Sequence, residues 1–241
     1  MENKYFCSIV KLLKTIENTQ TKNMAKAAKI IADTIKKDGI IYTFGAGHSH
    51  SVAVENFHRS GCPACISAVL NETLAFMPCA HAATDFERLE GLSPIILKRH
   101  NMQKGSCIII ISNSGRNPAG IDAALYAKQK GLKVIVITAA KAHAQTKSRH
   151  SSGKMLRNCA DVVLDNCCTK QETGLKLNGK DVAPVSTIAG AALINSVIYQ
   201  ACELLAKQGF KIPLYLSSND GGDNNNAALA EKYKSRILHL V

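Results

Sequence analysis

Tryptophan is absent from the 241 residues, and tyrosine and phenylalanine number only six each. A chain this poor in flat rings lacks the stacking surface that single-stranded nucleic acids use. That absence matters because lysine and arginine outnumber aspartate and glutamate by 30 to 18, and a net charge of +12 otherwise invites a nucleic-acid reading. The basic residues are scattered, apart from one concentration over 141–157, KAHAQTKSRHSSGKMLR. No nucleic-acid partner is expected. Long uninterrupted apolar runs are missing too: Cys107 to Ile111 and Val134 to Ile137 are strand-sized and far short of a bilayer. The opening stretch, MENKYFCSIVKLLKTIE, mixes charges among its apolar positions and has no cleavage-site pattern. Neither a signal peptide nor a membrane partner is expected, and the expected location is cytoplasmic.

A paired cysteine framework is also lacking. Nine cysteines is an odd number, and without a secretory signal it argues against a disulfide scaffold. Cys62-Pro63-Ala64-Cys65 has the spacing of a redox pair or half a zinc site. The only other close pair, Cys167-Cys168, is adjacent in sequence and poorly shaped to chelate one ion. No metal and no cofactor are expected, and the thiols read as buried or idle.

What is present is alternation. Residues 5–37 carry apolar positions at helical spacing, among them Ile9, Leu13, Ile16, Met24, Ala28, Ile31 and Ile35, before Gly39, which reads as a C-cap. Strand patterns follow near 40–44, 64–69, 107–111, 133–137 and 161–165, separated by helical patterns at 49–60, 84–100 and 118–130. Residues 166–185 form a polar connection. A strongly apolar helix spans 186–209, with Ser186 or Thr187 as N-cap, and a short helix is expected at 227–238. Continuously apolar strands alternating with helices indicate an α/β fold, a parallel sheet covered on both faces. The division expected is an N-terminal helical extension, 1–38, and one ligand-binding domain, 39–241.

Two strands break into small polar loops: IIYTFGAGHSHS at 40–51 and CIIIISNSGRN at 107–117. Backbone amides and hydroxyls exposed at the start of a helix suit a phosphate or another small anion. The first loop is not a dinucleotide fingerprint, since the third glycine of GxGxxG is replaced by His50 and no acidic residue ends the next strand. No Walker lysine follows either loop. In the second loop Ser112, Ser114 and Asn117 can join main-chain amides around phosphate oxygens, and Pro118 suits a helix's first turn. His48 and His50 lie inside the first loop and are expected to approach any ligand held there. His150, in the basic stretch, is a candidate to close over a phosphate.

ISNSGRN and GAGHS after strands, with PVSTIAGAALIN opening a long helix, resemble the sugar isomerase (SIS) domain family over roughly residues 35–208. The stretches GAGHSHSVAVENFHRSG, SRHSSGK and SSNDGGDNNNAAL look closer still to stand-alone, phosphoheptose-isomerase-like members. The resemblance implies a three-layer α/β/α sandwich with a five-stranded parallel sheet, flavodoxin-like, that binds a phosphorylated sugar. It implies that Ser112, Asn113, Ser114 and Asn117 form the phosphate cradle, that Gly47 and Ser49 contact the sugar or its phosphate, and that Ser186 and Thr187 supply a third contact. It implies Glu72 as a catalytic base.

Aldose–ketose isomerisation moves a proton between adjacent carbons through an enediol, and it needs a base plus a group that helps open the ring. Glu72 is the first candidate for the base, with Glu87 and Glu90 next, and His81 is the candidate ring-opening acid. The same glutamates could support a lyase or etherase reaction, and a non-catalytic phosphosugar sensor is the reading from another class. The apolar helix at 186–205 suggests a homodimer or homotetramer.

Overall fold

The computed structural model of the chain describes residues 3–77 and 79–241. The first periodic segment is one helix, α1 (Lys4–Lys36), capped by Asn3, whose side chain accepts from the amides of Tyr5 and Phe6. Two of the helix's orphan donors are thereby satisfied. Met24, Ala27, Ala28, Ile31, Ala32 and Ile35 line its buried face at the spacing of an amphipathic helix. Its end differs from expectation. Asp38, not Gly39, takes the left-handed conformation (φ +53°). Gly39 is needed for room instead, because a Cβ there would lie 2.5 Å from the Gly105 carbonyl oxygen.

Five strands, β1 (Ile41–Gly45), β2 (Ile66–Ala68), β3 (Cys107–Ile111), β4 (Lys133–Thr138) and β5 (Val162–Asp165), form a parallel sheet in the order β2-β1-β3-β4-β5. β1 pairs with β3 from Ile41–Cys107 to Gly45–Ile111. Every residue of β1 and β3 is buried, as expected for a sheet with helices on both faces. α1 packs with α6 (Ser186–Ala206) on one face, while α5 (Pro118–Gln129) and α4 (Leu92–Leu97) cover the other. This is the three-layer α/β/α sandwich. The boundary drawn at residue 38 falls just past the end of α1, whose second half packs into the same core as the sheet.

Several local details depart from the sequence pattern. The helix expected over 84–100 is divided into α3 (Ala80–Arg88) and α4, because Gly91 turns left-handed (φ +83°) and its amide donates to Asp122 Oδ2 at 2.7 Å. The helix expected at 49–60 is the shorter α2 (His48–Val54), and the last one is α7 (Asp223–Tyr233). The connection at 166–185 holds an antiparallel hairpin, β6 (Thr173–Leu177) and β7 (Lys180–Pro184). Its two-residue turn is Asn178-Gly179, both left-handed, as a hairpin's right-handed twist requires. Tyr5 Oη donates to the Pro184 carbonyl and Ser8 Oγ to that of Gly174, tying the hairpin to α1.

α6 is long and apolar enough, by length and composition, to cross a membrane, although no uninterrupted run in the sequence is. Here Ala189, Gly190, Leu193, Ile194, Val197, Ile198, Ala201 and Leu205 face the core beneath α1 and α2, the pattern of an internal helix. Gly190 lets it approach α2, since a Cβ there would meet both Val52 methyl groups at 3.2 Å. The expected Ser186 or Thr187 cap is not formed. Val185 holds the N-cap position, and Ser186 lies in the first turn with its hydroxyl turned elsewhere.

Candidate functional site

The strand order reverses between β1 and β3: the chain leaves β1 toward β2 on one side and later returns to β3 on the other. At such a switch point the loops after the two strands part, and a crevice opens beyond their carboxyl ends. The two polar loops of the sequence flank that crevice. Gly45 must be glycine because a Cβ would run into the Ser49 carbonyl, and Gly47 adopts φ +56° just before α2. The Gly47 amide donates to the Leu74 carbonyl at 2.8 Å, and the His48 ring meets the Phe76 ring edge-on at 4.7 Å.

In the second loop Ser112 Oγ accepts from the Gly115 amide at 3.3 Å, and Gly115 is left-handed (φ +59°). Asn113 is held on both sides: its carbonyl accepts from the Ala139 amide and Thr138 Oγ1, and its Oδ1 accepts from Asn166 Nδ2 at 2.7 Å. That leaves Asn113 Nδ2 buried with no partner, although the residue is only 8% exposed. A buried amide donor left open costs about 1–3 kcal/mol unless something occupies it.

Between the loops lies a cleft of about 230 Å³, lined by Gly47, His48, Ser49, Phe76, Thr84, Glu87, Ser112, Asn113, Ser114, Asn117 and Glu172. A narrower recess of about 20 Å³ continues it past Asn166 to Ser186 and Thr187, again with Glu172 in its wall. The space is small for a drug-like ligand and of a size for a monosaccharide. Glu172 holds a left-handed backbone (φ +63°), which costs a residue other than glycine about 1–2 kcal/mol. Ser186 Oγ donates to its Oε2 at 2.7 Å, and the Val185 amide donates to its carbonyl. The carboxylate is thus oriented from the first turn of α6.

Residues 4–139 match the SIS domain family. The chain is a SIS-domain protein. UPF0309 proteins are similar along the whole chain: one from Thermoanaerobacter pseudethanolicus is 38% identical, with 98% of this chain and 99% of that protein covered. Another, from Caldanaerobacter subterraneus, is 36% identical over the full length of both. Among solved structures, the phosphoheptose isomerase GmhA of Neisseria gonorrhoeae superposes with a TM-score of 0.50 at 18% identity, covering 84% of this chain and 95% of its own. A phosphoheptose isomerase of Francisella tularensis gives 0.50 and 18%, with coverages of 83% and 94%. At that identity the likeness is one of fold.

This SIS domain gathers Gly47, His48, Ser49, Ser112, Asn113, Ser114 and Asn117 in the main cleft and Ser186 and Thr187 in the recess. Other expected residues lie elsewhere. Glu72 is exposed on the turn after β2 and does not line the cleft, and His81 is exposed at the start of α3. His50 is not among the residues lining the cleft or its recess, and burial pulls its pKa below the usual histidine value, with the Gly45 backbone opposing that shift. Glu90 binds the amide and hydroxyl of Ser151 at 2.5 and 2.6 Å, contacts that lower its pKa. His150 Nε2 lies 3.0 Å from Asp122 Oδ1, and its Nδ1 lies 2.8 Å from Ser152 Oγ. The Asp122 contact fastens the basic loop to α5, the Ser152 contact lies within the loop, and His150 is not among the residues lining the cleft.

Glu172, Phe76 and Asn166 escaped the sequence reading. Only Glu172 had a legible pointer, the Asn-Gly turn of its hairpin. Cys62 and Cys65 are both buried, and burial pushes the Cys65 thiol up to about 12, far from a thiolate at neutral pH.

Proposed function

We propose that the protein binds a phosphorylated sugar between the two loops and interconverts its aldose and ketose forms. One observation carries this reading: the open, buried Asn113 amide, flanked by the hydroxyls of Ser112 and Ser114, faces the same cleft as the oriented carboxylate of Glu172. Neutral donors at the start of α5 suit a phosphate, whose charge the helix N-terminus also favours. Holding the phosphate fixes the distance from it to the reacting carbons.

Glu172, rather than Glu72, is then the base. Its Oε2 is engaged by Ser186, which leaves Oε1 to take the proton from the carbon beside the carbonyl. The resulting enediolate is protonated at the neighbouring carbon by the same group, and the hydroxyl proton passes in the same direction, from the oxygen of the deprotonated carbon to the former carbonyl oxygen, so no redox partner enters. Glu87 and His48, which line the same cleft, are the groups assigned to exchange that oxygen-bound proton and to assist ring opening. A homodimer or homotetramer also belongs to this reading. Phe6 and Val10 on α1, with Tyr199 on the outer face of α6, are 65%, 50% and 67% exposed, apolar surface suited to a second copy.

The test is proton–deuterium exchange. Sugar phosphates of three to seven carbons are incubated in D₂O and followed by NMR. Exchange at the carbon adjacent to the carbonyl is expected with at least one, falling by about 10³-fold or more in Glu172→Gln while binding persists. Tight binding without exchange by any sugar would reject the catalytic half of the proposal.

A further inference from the structure

The basic stretch of the sequence is not a free loop. The Arg149 amide donates to the Arg116 carbonyl at 2.9 Å and the Leu156 amide to the Gly115 carbonyl at 2.8 Å, so the strand of chain at 149–156 lies along the cradle loop itself. Ser151 is bound by Glu90 and His150 by Asp122, which fixes the segment from the other side. Three arginines from three separate segments border the cleft: Arg88, at the end of α3, follows the lining residue Glu87, Arg116 precedes the lining residue Asn117, and the charges of both act on Arg149. Arg149 Nη1 donates to Oδ1 of Asn117, a cleft-lining residue, at 2.9 Å.

None of the three guanidinium groups forms an ion pair within 4.0 Å among the described residues. Arg116 Nε is buried with no hydrogen-bond partner. Partial desolvation and the like charges of Arg116 and Arg88 hold Arg149 below its ordinary pKa, with Glu87 the one opposing charge. Two other carboxylates of this region are engaged elsewhere, Glu90 by Ser151 and Asp122 by His150. Like-charged guanidinium groups near one another favour a shared anion, and their planar forks match carboxylate and phosphate oxygens.

A single phosphate does not account for this arrangement, because the cradle already offers it the Ser112 and Ser114 hydroxyls, the Asn113 amide and the start of α5. We infer that the physiological ligand is a doubly anionic phosphosugar, whose second acidic group, a carboxylate or another phosphate, is received by Arg88, Arg116 and Arg149 at the rim. This rests on the phosphosugar reading of the cleft and narrows its substrate class.

Calorimetric titration with fructose 6-phosphate, fructose 1,6-bisphosphate and 6-phosphogluconate tests it, each against wild type and an Arg116→Gln/Arg149→Gln variant. In wild type at least one of the two doubly anionic sugars is expected to bind about ten- to a hundredfold tighter than the monophosphate. Raising the salt from about 0.05 to 0.5 M should narrow that ratio, a readout that does not depend on the variant's folding. In the variant the preference should vanish while the monophosphate keeps most of its affinity. Equal affinities in wild type, or an equal loss for every ligand in the variant, would overturn the inference and leave the phosphosugar reading standing. Failure of all three sugars to bind would overturn both.

Discussion

Replacing Asn113 with alanine separates two roles of one side chain. Its Oδ1 accepts from Asn166 Nδ2 at 2.7 Å, and its own Nδ2 is the open donor in the cleft. Asn166 is 3% exposed, so Asn113→Ala leaves a buried amide donor without a partner. Such an orphan costs about 1–3 kcal/mol. For a chain of this length each kcal/mol moves the unfolding midpoint by about 2–4 °C, which puts the expected drop at about 2–12 °C.

The ligand side is worked separately. A hydrogen bond to a charged phosphate oxygen contributes about 1.5–3 kcal/mol, so the dissociation constant of a bound sugar phosphate should rise about 10- to 150-fold. Thermal unfolding measures the first effect and titration the second. Asn113→Ala combined with Asn166→Ala should cost less than the sum of the two single changes, by about 1 kcal/mol, because each single change strands the other partner. A dissociation constant within about twofold of wild type would refute the ligand role. Strict additivity of the pair would refute the structural one.

Two further outcomes follow from other parts of the molecule. His100 is 3% exposed with Nδ1 unpartnered, and burial, then the nearby His239, lowers its pKa from 6.5 to about 4. The unfolded chain therefore takes up the proton first, so this contribution to stability is complete above about pH 6.5 and is lost as the pH falls toward 4, up to about 3 kcal/mol. Urea unfolding between those pH values should show a shallower loss in His100→Gln, and an unchanged slope would refute the assignment. For the apolar outer face of α6, Tyr199→Glu should shift the mass measured by light scattering toward the monomer; a wild type already monomeric at tens of micromolar would refute assembly.

The particular elements show how far local pattern reaches. Ile108 to Ile111 had to be a strand buried on both faces, because a continuous β-branched run has no polar side to offer water. The loops SNSGRN and GAGHS were legible for a similar reason: Gly47 and Gly115 take positive φ, and Pro118 starts α5, all constraints of neighbouring residues. Gly39 was misread because its role is room beside Gly105, a contact 66 residues away in sequence that no capping rule contains. Glu72 was the first candidate for the base because the SIS resemblance implies a glutamate just beyond the second strand, and on that turn it is exposed.

Sequence alone therefore determined the alternation of strands and helices and the polar character of the two loops, since both arise from torsions and polarity within a few residues. Tertiary structure decided what faces those loops. The hairpin of β6 and β7 brings Glu172 onto the first turn of α6, and the strapped basic segment brings Arg149 beside Arg116 and Asn117. Those meetings join segments far apart along the chain, and only packing against a common sheet places them within reach of one another.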